Sequence, residues 1–182
     1  MINNTKSLIE FLFDSYIVDA PVSCDMTLGN GHDSKLILEK LNPKKLYAFD
    51  IQKAAFIESS KLLGDCPKVE YIHDGHENID KYVEEKIDLA IYNLGYMPGQ
   101  DKQITTNYKT VIESLEKVFL KLNTNGHIII TLYPGHKSGQ EEAENINDFL
   151  SQLSQKEYVV TKFDFINQVN SPPYVILIEK IR

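Results

Sequence analysis

Tryptophan is absent from the 182 residues, arginine occurs once, at Arg182, and cysteine twice, at Cys24 and Cys66. Two cysteines without a C-x-x-C pair offer no zinc ribbon, no redox dithiol and no disulfide framework for a small secreted scaffold. No metal site is expected, and a reducing, cytoplasmic setting is. With a single arginine the chain lacks bidentate clamps for phosphate, leaving lysine point charges and backbone amides. No apolar run approaches the ~18 residues that a spanning helix needs, so no membrane is expected among the partners. The opening residues 1–7 lack the charged and apolar regions of a secretory leader. No repeat or Pro/Gly/Ser-rich linker divides the sequence, and one domain over 1–182 is expected. The hydrophobic share of 42% suits an ordinary globular core. A net charge of −7 means that a nucleic-acid partner would have to find a local basic patch on an acidic background.

Short apolar runs alternate with longer amphipathic ones, the pattern of a mainly parallel sheet covered by helices. The spacing predicts helices over 7–17, 34–41, 53–63, 78–85, 107–122 and 141–154. Strands are expected over 22–26, 45–50, 69–73, 87–92, 127–133, 159–165 and 174–180. Val111, Leu115, Val118, Phe119 and Leu122 keep helical phase, and Asn42-Pro43 stops the second helix. Only residues 166–173 separate the last two strands, too few for a helical crossover, so these should pair antiparallel. The expected class is therefore α/β: a doubly wound, mainly parallel, Rossmann-like sheet of seven strands ending in an antiparallel hairpin.

Asp25-Met26-Thr27-Leu28-Gly29-Asn30-Gly31 follows the first strand and opens a helix. Glycines there let the backbone turn sharply and approach a ligand, while the helix start offers free amides. An ordinary tight turn would look the same. The second strand, however, ends in Asp50, whose carboxylate can accept both hydroxyls of a ribose. After the third strand, Asp74-Gly75-His76 can reach an adenine edge, although His76 would also pass for a satisfied loop histidine. A dinucleotide site usually reads G-x-G-x-x-G, but the third position is Ser34. Asp25 beside the turn would repel a pyrophosphate and attract the ammonium of a methionine moiety. The cofactor expected is S-adenosyl-L-methionine rather than NAD.

The fourth strand runs into Asn93-Leu94-Gly95-Tyr96-Met97-Pro98-Gly99. An asparagine carbonyl can hold an amine by its protons and aim its lone pair at a methyl donor. Tyr96 offers an aromatic face to a flat base or a cation. Asp101, Lys102, Tyr133, Gly135, His136, Asn167, Gln168 and Asn170 should gather on the same edge. An alkylamine is mostly protonated near neutral pH, so some group must accept a proton. His136, Asp101 and His76 are all candidates, and the choice stays open. Lys102, Lys109 and Lys137 stand where a basic rim for RNA would be, or on a solvated face.

Together these segments resemble one family of small bacterial methyltransferases, the YtqB-like or MnmM family, also called rRNA methylases. The resemblance is carried by residues 25–33, Phe49-Asp50-Ile51-Gln52, Gly75-His76-Glu77-Asn78, 93–99, 101–106, Tyr133-Pro134-Gly135-His136, Phe165-Ile166-Asn167-Gln168 and Pro172-Pro173. It implies the class I methyltransferase fold. It also implies N-methylation of 5-aminomethyl-2-thiouridine at tRNA wobble position 34, giving 5-methylaminomethyl-2-thiouridine. An anticodon stem-loop partner and a homodimer follow from the same likeness. The matched motifs add Thr27, Asn30, Gly31, Asp33 and Gln52 to the expected cofactor contacts. Asn93, Tyr96, Asp101 and His136 become the expected catalytic set, and Tyr96, Pro98, Lys102, Tyr133, Asn167 and Gln168 the substrate contacts. Met26, Ser34, Met97 and Gln100 depart mildly from the family pattern, and residues 1–20 match it least. Two other readings remain: methylation of rRNA or of a small-molecule or protein amine, and a nucleotide-binding module or NAD enzyme.

Overall fold

Successive side chains of a strand face opposite sides of a sheet, and this chain buries both sides. The structure, a computed structural model, describes residues 1–95 and 107–182. In chain order it has α1 (Thr5–Ser15), β1 (Val22–Asp25), α2 (His32–Lys40), β2 (Lys45–Phe49), α3 (Lys53–Leu63) and β3 (Val69–Ile72). A 3₁₀ helix (His76–Lys81), β4 (Ile87–Asn93), α4 (Tyr108–Lys121), β5 (Leu122–Leu132), α5 (Lys137–Ser151), β6 (Tyr158–Phe163) and β7 (Tyr174–Lys180) follow. The strands form one sheet in the order β3-β2-β1-β4-β5-β7-β6. β1 to β5 are parallel, and β7 is antiparallel to both β5 and β6.

Alternation sorts the core into two layers. Ala90, Tyr92, Ile128, Ile130, Ile176 and Ile178 face α4 and α5, where Val111, Leu115, Val118, Ile146 and Leu150 meet them. Leu89, Ile91, Ile129, Val175 and Leu177 face the other way, onto Leu8, Leu12 and Phe13 of α1 and Ile37 of α2. α1 starts from a capping box in which the Asn4 side chain accepts the Ser7 N–H and Ser7 Oγ accepts the Asn4 N–H. Among the described residues no helix is long and apolar enough to cross a membrane.

Most element ends shift by one or two residues, and three elements differ more. Residues 78–85 do not form an α-helix; a 3₁₀ turn with Asn78 at φ −93°, ψ 15° replaces it. Ile79 and Val83 are fully buried four residues apart, as a helix would place them. Two carbonyls are bonded instead from α4, Glu77 O by Lys117 Nζ at 2.5 Å and Val83 O by Lys121 Nζ at 2.6 Å. α5 begins at Lys137 because the His136 side chain caps it by accepting the Gly139 N–H. β5 begins at Leu122, which pairs with Ile87 before the ladder resumes at Leu89 and His127.

The chain runs outward from β1 through β2 to β3, then returns to lay β4 on the opposite side of β1. Such a reversal opens a crevice beyond the carboxyl ends of the central strands. The β6–β7 loop reaches the same edge, since β6 runs parallel to β5 with β7 between them.

Candidate functional site

At that edge lies an open cleft of about 1020 Å³, walled by the ends of β1 to β5 and by residues 168–173 of the β6–β7 loop. Its construction starts at the β1 turn. Gly29 adopts φ +47° and Gly31 φ +82°, backbone that other residues rarely take. A Cβ on Gly31 would come within 2.8 Å of Ser59 Cβ, so glycine also lets α2 start close against α3. Asp25 is fully buried; one carboxylate oxygen accepts the Thr27 N–H at 3.1 Å, the other the Ser34 hydroxyl at 2.6 Å. Burial, and then the neighbouring Asp33 carboxylate, push its pKa up to about 7.

The turn is tied to both flanking strands. Gly29 N donates to Asp50 Oδ2 at 2.9 Å, and Gln52 N donates to Asp50 Oδ1 at 2.8 Å. Each Asp50 oxygen keeps a lone pair for the cleft. Burial raises the Asp50 pKa while the amide bonds oppose that rise. On the other side, Asn93 N donates to Thr27 Oγ1 at 2.8 Å, and Asn93 Nδ2 donates to Asp33 Oδ2 at 2.9 Å. The Asn93 amide also acts on the Tyr133 hydroxyl, whose pKa burial raises.

Beyond β3, the Asp74 carboxylate accepts from Tyr82 Oη, Gly75 N and Asn78 Nδ2, and the Tyr82 bond above all holds its pKa down. His76 is buried, lies edge-on to Tyr92 and is pushed down to about 4 by desolvation, so it is neutral at physiological pH. Its Nδ1 is buried with no hydrogen bond among the described residues, 3.7 Å from the Glu77 carboxylate. The backbone is held from behind: Ser114 Oγ donates to the His76 carbonyl at 3.1 Å and shares a bond with Tyr92 Oη at 2.8 Å.

Thr27, Gly29, Asn30, Asp33, Asp50, Gln52, Asp74, His76 and Asn93 line the cleft together, as do Tyr133, His136 and Gln168. Three expected contacts do not. Asp25 and Gly31 stand behind the wall, one consumed in closing the turn and the other packed on α3. Asn167 is exposed and outside the wall, because the turn bonding Gln168 N to Phe165 O carries it outward. The expectations for Tyr96, Pro98, Asp101 and Lys102 fall outside the described residues. The sequence reasoning missed His32, Glu77, Asn107, Thr110 and Val169 in the wall. Asn107 was findable as a helix cap and Glu77 as a neighbour of Gly75-His76; Val169 carries no local signal.

The donor set suits a cationic nucleoside. Asp33, Asp50, Asp74 and Glu77 bring four carboxylates to the wall, and among the described lining residues there is no lysine or arginine. A pyrophosphate would meet net repulsion there, whereas ribose hydroxyls, an ammonium and a sulfonium would each meet an acceptor. Among the described residues no group of three or more His, Cys, Asp or Glu is placed to hold a metal ion.

Known proteins resemble the chain in sequence and in fold. Residues 46–179 match the family model described as "Putative rRNA methylase". The chain is 31% identical over 172 residues to the chloroplastic tRNA (mnm(5)s(2)U34)-methyltransferase of Arabidopsis thaliana; the match covers 86% of this chain and 62% of that relative's length. It superposes on a Clostridium thermocellum "putative rRNA-methylase" with a TM-score of 0.93 at 35% identity, each chain covered fully. A Streptococcus mutans "putative methyltransferase" solved "in complex with SAH" gives a TM-score of 0.88 at 31% identity, with 99% of each chain covered. The chain therefore belongs to the family described as "Putative rRNA methylase", S-adenosylmethionine-dependent methyltransferases with the class I fold.

Proposed function

We propose that this chain N-methylates the 5-aminomethyl group of 5-aminomethyl-2-thiouridine at wobble position 34 of tRNA. The observation that carries the reading is Asn93 at the β4 tip, held between Thr27 and Asp33 and facing the same cleft as Asp50. The substrate itself is suggested by the printed name of the plant relative. Bound S-adenosylmethionine supplies an electrophilic methyl group. Asp50 would hold its ribose hydroxyls, Gln52, Asp74 and His76 would border its base, and Thr27, Gly29 and Asn30 its amino-acid end. Asn93 orients the substrate amine through its side-chain carbonyl, because its N–H is given to Asp33. Tyr133 and the loop 168–173 flank the entering base, and holding amine and methyl donor in line supplies most of the rate. Tyr96, Pro98, Asp101, Lys102 and His136 complete the substrate side in this reading.

Exposed Lys109 and Lys137 adjoin Asn107, Thr110 and His136 of the wall, giving an anticodon stem-loop two cations at the rim. The reading includes a cytoplasmic homodimer. Methylation of rRNA is the second reading, favoured by the family's description. Mass spectrometry of tRNA nucleosides from cells lacking the gene tests the choice. Accumulated 5-aminomethyl-2-thiouridine supports the proposal, and an unchanged tRNA profile rejects it.

A further inference from the structure

Methylating an amine leaves one proton to be disposed of, and among the described residues the cleft wall holds three histidines and four carboxylates. His76 is poorly suited: burial keeps its ring neutral and weakly basic, and its Nδ1 points to Glu77 rather than to open cleft. His136 caps α5, its Nδ1 accepting the Gly139 N–H at 3.0 Å and lying 3.0 Å from Ser138 Oγ. We propose that the Asp33 carboxylate accepts the proton of the substrate ammonium and is a catalytic residue rather than a cofactor contact. The assignment rests on the amine-methylating reading above.

The geometry is specific. Asp33 sits in the first turn of α2 and lines the cleft. Its Oδ2 accepts one N–H of Asn93, and among the described residues nothing hydrogen-bonds its Oδ1. Asn93 is the residue at the β4 tip that meets the amine, so donor and acceptor of the proton share one anchor. The bond also fixes which way the Asn93 amide is turned, leaving its carbonyl for the substrate. The groups around Asp33 are Asp25 from β1, His32 beside it on α2, Lys6 from α1 and Tyr133 after β5. Burial outweighs the Asn93 bond and the His32 and Lys6 charges, so the carboxylate is more basic than an exposed one.

The substrate ammonium gives one proton to Asp33, which becomes the neutral acid, and the amine nitrogen regains its lone pair. That pair forms the new N–CH3 bond, and the electrons of the broken S–CH3 bond return to sulfur. The product leaves as a secondary ammonium, and Asp33 loses its proton to solvent through the open cleft.

Asp33→Asn separates proton transfer from positioning, because its side-chain oxygen can still accept the Asn93 N–H. Calorimetry with S-adenosylhomocysteine should show affinity within about threefold of wild type, while kcat at neutral pH falls ~10²–10⁴-fold, the usual range for a lost general base. The variant's rate should keep climbing with pH as solution base takes over, where the wild type levels off. A variant with kcat within about threefold of wild type and the same pH profile overturns the assignment. So does a variant whose cofactor affinity drops tenfold while kcat at saturating cofactor is unchanged. Wild-type activity on RNA bearing 5-aminomethyl-2-thiouridine is measured first; its absence refutes the substrate reading, and this assignment with it. An active wild type beside an equally active variant refutes this assignment alone.

Discussion

Replacing Asp50 by alanine removes the one carboxylate placed to accept both hydroxyls of a ribose. Its two oxygens already hold Gly29 N at 2.9 Å and Gln52 N at 2.8 Å, which aims their remaining lone pairs at the cleft. A hydrogen bond to a charged group contributes about 1.5–3 kcal/mol net, and a half-buried site belongs at the low end. Two such bonds give about 3 kcal/mol, and at 1.4 kcal/mol per decade the affinity should fall ~100-fold. Isothermal titration of S-adenosylhomocysteine into both proteins, each checked for folding by circular dichroism, measures this directly. Because burial raises the Asp50 pKa, wild-type affinity should also weaken on acidification as the carboxyl protonates, and the alanine variant should lose that dependence. A change of less than about threefold would refute the ribose role of Asp50, whatever happened to activity.

Asn93→Ala should slow methyl transfer at least ~10-fold while leaving S-adenosylhomocysteine affinity within about threefold, since binding energy used only in the transition state is lost; single-turnover kinetics with calorimetry gives both numbers. Asp25 has a folded pKa raised to about 7, so its contribution to stability is full below about pH 4 and is lost as pH rises to about 7. Thermal melts from pH 4 to 8 should show Asp25→Asn gaining on wild type across that window, and a constant difference would contradict the burial argument. A Cβ on Gly139 would lie 2.1 Å from the Tyr133 carbonyl oxygen, so Gly139→Ala should cost about 2 kcal/mol and lower Tm by roughly 4–8 °C. If tRNA docks on rim lysines, log affinity should fall linearly with log salt, and Lys109→Ala should lessen the slope by about one unit.

The strands were readable because each is a short apolar run ended by a turn residue, Asp50 after β2 and Asn93 at the end of β4 among them. Antiparallel pairing of β6 and β7 followed from the shortness of their connection. The place of β7 between β5 and β6 did not, since strand order depends on contacts far apart in the chain. Ile79 and Val83 carry helical spacing, yet the local backbone is 3₁₀ because lysines 40 and 38 residues further on bind two carbonyls of the segment. The site shows the same division. Asp50 was readable from its position at a strand end. Asp25 and Asp33 are two carboxylates flanking one glycine turn, and sequence cannot say which faces the cleft. That is decided by Ser34, which turns Asp25 inward, and by Asn93, 60 residues from Asp33, which claims the other carboxylate.

The whole account depends on one nucleoside lying across the tips of the first four strands. A crystal structure of this protein with S-adenosylhomocysteine tests that most directly. The ribose hydroxyls should lie on Asp50, the base beside Asp74 and His76, and the sulfur within reach of the Asn93 side chain. A nucleoside bound elsewhere, or a ribose held away from Asp50, would contradict it.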